Sequence, residues 1–276
     1  MVYILSEIRV KDWCDLQEEL FSNFWNEKIG RYRAPYAYRG LSDVNYGLET
    51  SLMRLGGKYV KLEPHLLKNF KRYSGDVSIK LDNVWRCLII ARHHMLPTRV
   101  LDWTYSPFVA MHFATANIDN YDRDGVIWIV DFLKIQKYLP EKLKIALAAT
   151  DSWVFDIDLL SQTLSSELIA LKNLEKLSNE DFTIFIEPPS IDDRIINQFA
   201  LFSIMSDPTT SMDDFLIKQK EEGLWKKIII PAELKGEIRD KLDQSNITER
   251  VLFPGLDGIS KWLARHYSPR KSKPPK

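Results

Sequence analysis

Residues 126–132 constrain the fold of this chain more than any other stretch. Val126-Ile127-Trp128-Ile129-Val130 is an unbroken apolar run, closed by Asp131-Phe132. Successive side chains of a strand point to opposite faces, so a strand with one solvated face alternates apolar and polar residues. This run does not alternate and predicts a strand buried on both faces. A sheet built around such a strand needs a covering layer on each side. Further strands are predicted over 35–41, where Tyr36 and Tyr38 alternate, and over 182–186 and 226–230.

The covering layers are legible as helices. Trp13, Leu16, Leu20, Phe21 and Phe24 recur at helical spacing and predict an amphipathic helix over 11–28, ended by Gly30. Residues 62–73 read as a second helix. A third, over 80–96, carries Leu81, Val84, Leu88, Ala91 and Met95 on one stripe and stops at Pro97. Ser106-Pro107 is a helix start: the hydroxyl accepts an orphan amide, and proline fits the first turn. Residues 133–180 read as a mostly helical, charged elaboration. Residues 194–205 fit helix or strand. Pro231 opens a helix to about Leu242, and a last helix covers 259–266 after the Phe253-Pro254-Gly255 turn. Separated strands and helices imply an α+β fold with one main mixed or antiparallel sheet and flanking helices. At 276 residues, the expectation is one domain over 1–267, followed by a basic, proline-rich, disordered tail over 268–276.

Lys plus Arg is 38 and Asp plus Glu is 38. Zero net charge gives no general attraction to nucleic acid or anionic membrane, so neither is an expected partner, although the basic tail leaves a weak nucleic-acid contact open. Two separated cysteines, Cys14 and Cys87, make no disulfide framework. Residues 1–10 contain Glu7 and Arg9 and lack a signal-peptide core, and no apolar run approaches membrane-spanning length. The expectation is a cytoplasmic protein. There is no phosphate-loop or dinucleotide glycine pattern, and no histidine or cysteine spacing that predicts a metal site.

The candidate functional residues cluster in a few segments. Arg39 sits at a strand end beside Gly40. A guanidinium there can clasp a phosphate bidentately, and a neighbour without a side chain lets a ligand approach the backbone. The competing reading is a structural ion pair with an acid such as Asp102. Thr98, Arg99, Asp102, Thr104 and Ser106 surround Trp103. Arg99 and Asp102 can pair to stiffen the segment, while Thr104 and Ser106 can offer hydroxyls to a ligand, or Ser106 can simply cap the helix. His93 and His94 are adjacent on a helix and point about 100° apart, and His94 is the one placed to line a site. His112 lies on an apolar helix face and reads as a core histidine. Gln198 is polar among Ile195, Ile196 and Phe199, so it either bonds a ligand or ties two backbone segments together. Arg194 either binds an anion or pairs with Asp192 or Asp193.

Four segments resemble the bacterial and phage FRG-domain family, named for a Phe/Tyr-Arg-Gly motif. They are Tyr38-Arg39-Gly40-Leu41-Ser42-Asp43, His94-Met95-Leu96-Pro97-Thr98-Arg99-Val100-Leu101-Asp102-Trp103-Thr104, Arg194-Ile195-Ile196-Asn197-Gln198-Phe199-Ala200-Leu201-Phe202 and Leu252-Phe253-Pro254-Gly255-Leu256-Asp257-Gly258. Ala200 stands where the family often has glycine. The order of motifs is also similar, more distantly, to ADP-ribosyltransferases. Tyr38-Arg39-Gly40-Leu41 resembles their first strand end, and the stretch from Trp103 through Ser106-Pro107 to Ala114 resembles their second strand and its helix.

That second resemblance implies an ADP-ribosyltransferase-like core with NAD as substrate and no metal. Arg39 would clamp the pyrophosphate, with Gly40, His94, Arg99, Thr104 and Ser106 also lining the nucleotide. Arg39, Thr104 and Gln198 would hold the catalytic positions. The implied activity is NAD-dependent transfer to a macromolecular acceptor, or NAD glycohydrolysis, in a toxin or phage-defence effector. The sequence departs from that pattern at the late-strand glutamate: Gln198 stands nearest by order, and Glu187 is the alternative carboxylate. The other reading is a regulatory module that binds a nucleotide or partner without chemistry.

Overall fold

The computed structural model describes residues 7–22, 24–27, 29–75 and 81–268. Its strands are β1 (Glu7–Arg9), β2 (Trp25–Asn26), β3 (Arg31–Tyr32), β4 (Tyr36–Leu41), β5 (Val100–Thr104), β6 (Gly125–Asp131), β7 (Thr183–Ile186), β8 (Ala200–Met205) and β9 (Trp225–Ile230). The helices are α1 (Trp13–Phe21), α2 (Tyr59–Tyr73), α3 (Val84–His93), α4 (Pro107–Thr115), α5 (Phe132–Ile135), α6 (Glu141–Ala149), α7 (Ile157–Leu164), α8 (Ile169–Glu175), α9 (Asp193–Asn197), α10 (Met212–Gln219), α11 (Lys235–Gln244), α12 (Glu249–Leu252) and α13 (Leu256–His266). This is a mixed α+β fold with one main sheet and flanking helices.

The main sheet has seven strands in the order β1-β9-β6-β4-β5-β8-β7, and β2 and β3 form a separate antiparallel hairpin. Only β1 and β9 pair in parallel; every other pairing in the main sheet is antiparallel. The apolar run around Trp128 is central, as its lack of alternation requires. Val126, Trp128 and Val130 enter one core cluster, and Ile127 and Ile129 another.

Pairing along the sheet is uneven. β4 follows β6 through six partners, from Tyr36–Asp131 to Leu41–Val126, and β5 follows β8 through five, from Val100–Ile204 to Thr104–Ala200. Between β4 and β5 there is one bridge, Tyr38–Thr104. The sheet is therefore two well-paired halves that part just beyond Tyr38. On one face, α1, α4 and α11 cover the first half around Tyr38, Ile127 and Ile228, while α3, α7 and α8 cover the second half around Val100, Ile184 and Phe202. A single cluster, including Ala37, Leu101, Trp103, Trp128 and Phe215, spans both halves on the opposite face.

Local chemistry sets the element ends. The predicted 11–28 helix stops at Phe21: Asp12 caps its start through the Asp15 amide, and Ser22 turns extended. The chain then makes the β2–β3 hairpin, closed by Trp25 packed edge-on against Tyr32 with ring centres 5.0 Å apart. The predicted 80–96 helix begins at Val84, because the Asn83 side chain accepts from the Trp85 and Arg86 amides. Residue 80 lies outside the described residues. The ambiguous 194–205 segment is both things: α9, capped by Asp192, then β8, with Phe199 at φ 48° making the break. Residues 269–276 of the expected tail also lie outside the described residues. Among the described residues no helix is long and apolar enough to cross a membrane.

Candidate functional site

The parting of β4 and β5 is filled by charge. Arg39 is the first residue of β4 past the bridge. It donates from Nη1 to the backbone carbonyl of Asp102 on β5, replacing a ladder bond the diverging strands do not make. The same nitrogen stands 3.6 Å from the Asp102 carboxylate. Arg92, in the last turn of α3, holds that carboxylate in a fork: Nε lies 3.0 Å from each oxygen, and Nη2 donates to Oδ2. Arg92 Nη1 is fixed in turn by the Ser51 hydroxyl at 3.1 Å. Ser51 is itself tied to the Thr98 backbone. From the other side Arg194 of α9 donates to the His93 carbonyl and lies over the Phe253 ring, 4.9 Å from its centre.

Three guanidinium groups thus lie in the field of the Asp102 carboxylate, with Asp192 acting on Arg194 as well. Burial works against the Asp102 charge, but Arg92 and Arg39 outweigh it and hold the carboxyl below its ordinary range. Arg39 feels the imbalance most. Burial, with Arg92 and Arg54 pressing the same way, brings its pKa down to about 10 despite Asp102. Burial also lowers Arg194. Arg39 Nε is buried with no partner among the described atoms. The Asp102 side chain remains 39% exposed and that of Arg39 14%, so the cluster opens to solvent on one side. Fixed, partly desolvated guanidinium groups in excess over carboxylate favour an added anion, and phosphate oxygens match their fork geometry.

The other residues singled out in the sequence divide into three groups. Thr104, at the bridge, donates to the Gln198 backbone carbonyl at 2.7 Å and accepts from the Ser106 amide at 3.0 Å. Ser106 caps α4 through the Val109 amide. Gln198 donates from Nε2 to the Leu252 carbonyl, tying the α9–β8 junction to α12. These three lie next to one another, but each side chain is already engaged by a structural partner. Arg99 is not in the cluster and does not pair with Asp102. It is buried against Glu63 of α2 at 2.6 Å, with Glu175 of α8 at 3.0 Å. Nor does Gly40 serve a ligand's approach to the backbone: a Cβ there would lie 1.8 Å from the Ala110 carbonyl oxygen, so α4 occupies that space.

His94 is exposed just past α3, its ring 6.5 Å from that of Phe70. His93 instead pairs with Asp192, 2.5 Å away. His112 is buried as expected, its Nδ1 2.8 Å from Arg239 Nη1. Burial, reinforced by Arg239, pushes its pKa down to about 3, so the ring is a neutral acceptor. Glu187 is exposed after β7, two strands from β5. Among the described residues no group of three His, Cys, Asp or Glu gathers as a metal site. Arg92 is the functional candidate that the sequence reading passes over. Its signal is weak: a basic residue two positions before His94, ten before the carboxylate it holds.

Residues 34–123 match the sequence model of the FRG domain family. The match includes Arg39, Arg92 and Asp102 and leaves Arg194 outside; it spans roughly a third of the chain. No curated protein and no solved structure matches the chain.

Proposed function

We propose that this FRG-domain protein binds a phosphate-bearing ligand, with NAD the first candidate, where β4 and β5 part. The observation that carries this reading is the pairing of Arg39 and Arg92 with the carboxylate of Asp102, with Arg194 close enough to feel both Asp102 and Asp192. A pyrophosphate supplies the negative charge that the cluster lacks, and its oxygens fit guanidinium forks. Arg39 is the principal contact, because its Nε has no partner among the described atoms.

Binding without chemistry is the favoured form of this proposal. Breaking a glycosidic bond builds positive charge on the sugar, which a carboxylate stabilises. The carboxylate here, Asp102, is engaged at both oxygens by Arg92. Thr104 and Gln198 have structural partners as well. Isothermal titration with NAD, ADP-ribose and pyrophosphate tests the binding claim. Saturable heat with at least one of them, weakened tenfold or more in Arg39→Ala (~1.4 kcal/mol), is the expected result. No heat with any of the three, from folded protein, removes the proposal. Release of nicotinamide from NAD by pure protein would leave the binding claim standing and replace the non-catalytic form with the transferase or glycohydrolase one.

A further inference from the structure

Helix α2 carries a second feature, independent of the arginine cluster. Its inward face is apolar and anchored: Leu67 is buried in the core, Phe70 packs against it, and Glu63 is fully buried on Arg99. Its outward face carries Lys58, Lys61, His65, Lys68 and Arg72, all exposed, in steps of three and four residues. That spacing places them in one row. At 1.5 Å per residue the row is about 21 Å long. Lys71 stands beside it, also exposed. Glu63 is the one acidic residue from 56 to 75, and it points inward. None of the six basic residues forms an ion pair with a described residue.

Like charges three and four residues apart work against a helix, and acidic residues interspersed at that spacing would relieve them. The chain has as many acids as bases, yet none is placed on this face. The arrangement concentrates positive charge in a rigid line on a molecule of zero net charge. We infer that the outer face of α2 is a docking face for the phosphate backbone of a nucleic acid. Five cations (Lys58, Lys61, Lys68, Lys71 and Arg72) over about 21 Å, with the His65 ring among them, meet the closely spaced phosphates of a strand without reading bases. An anionic membrane is the less suited partner. A helix lying in a bilayer surface turns its apolar face to the lipid, and here that face is packed on the core, leaving only Leu62 and Tyr73 exposed beside the row.

The test is fluorescence anisotropy with labelled duplex DNA and single-stranded RNA of about 20 nucleotides, long enough to cover the row at 3.4 Å per step, across a salt series. The wild type is expected to bind at low salt. The Lys61→Glu/Lys68→Glu variant, whose changes are on the surface and leave the fold intact, should bind at least about tenfold more weakly. Its log–log salt slope should be shallower by about 2. Arg39→Ala should bind nucleic acid as the wild type does, which separates this face from the proposed phosphate cleft. Equal binding by the double variant overturns the inference. So does failure of the wild type to bind either probe, whether or not it sediments with phosphatidylserine vesicles.

Discussion

Asp102→Asn is the change that most directly interrogates the arginine cluster. The carboxylate stands 3.6 Å from Arg39 and is forked by Arg92. A phosphate bonded to the open edge of Arg39 lies a hydrogen bond beyond the guanidinium, so about 6 Å from Asp102. At an effective dielectric of about 20, two unit charges at that distance repel by about 3 kcal/mol. Physiological salt screens roughly half of this. Removing the carboxylate charge therefore gains a bound monoanion about 1.4 kcal/mol, or tenfold in affinity, and a dianion more. Asparagine keeps the shape and one acceptor oxygen, but it takes the counter-ion from Arg92 and Arg39, so the unliganded variant should melt several degrees lower. Titration calorimetry with pyrophosphate, on protein shown by circular dichroism to melt cooperatively, measures the effect. Equal or weaker binding by the folded variant refutes the idea that Asp102 competes with an incoming anion for the guanidinium groups.

Gly40→Ala forces a methyl to within 1.8 Å of the Ala110 carbonyl oxygen. Moving α4 off the sheet costs about 3 kcal/mol, the upper end for overpacking, and urea denaturation should show a midpoint shift of that size or loss of the folded state. Glu63→Gln leaves buried Arg99 with only Glu175, so a loss of about 3 kcal/mol is expected by the same assay; a loss under ~1 kcal/mol would mean that Glu175 suffices. His112 is neutral in the fold down to about pH 3, whereas the unfolded chain protonates it near pH 6.5. The unfolded state binds more protons between these values, so stability falls as pH drops through that window. Thermal melts of His112→Gln should show a weaker decline there than the wild type.

Much of the fold is legible in the sequence because it rests on local periodicity. The run around Trp128 announces a doubly covered strand, and 35–41, 182–186 and 226–230 mark three others to within a residue or so. Shorter elements escape where side-chain capping overrides pattern. Ser22 ends α1 early, and Asp192 starts a five-residue helix inside an otherwise strand-like stretch. The site is less legible than the scaffold. Arg39 and Asp102 stand out, and the ion pair weighed between them is present, at 3.6 Å. Arg92 does not stand out: its role depends on the last turn of α3 passing over β5, which no spacing in the chain encodes. Arg99 misleads for a related reason. It lies three residues from Asp102, yet its partner Glu63 comes from a helix that precedes it by 36 residues.

The single Tyr38–Thr104 bridge gives the sheet a seam. Past that bridge one side chain, Arg39, fastens strand to strand by donating to the Asp102 carbonyl. An anion that draws Arg39 away unpicks that stitch. Occupancy of the cleft and the stiffness of the sheet then become two readings of one bond. Backbone amides along β5 should exchange with solvent faster when a phosphate is bound, the reverse of the protection a ligand ordinarily confers.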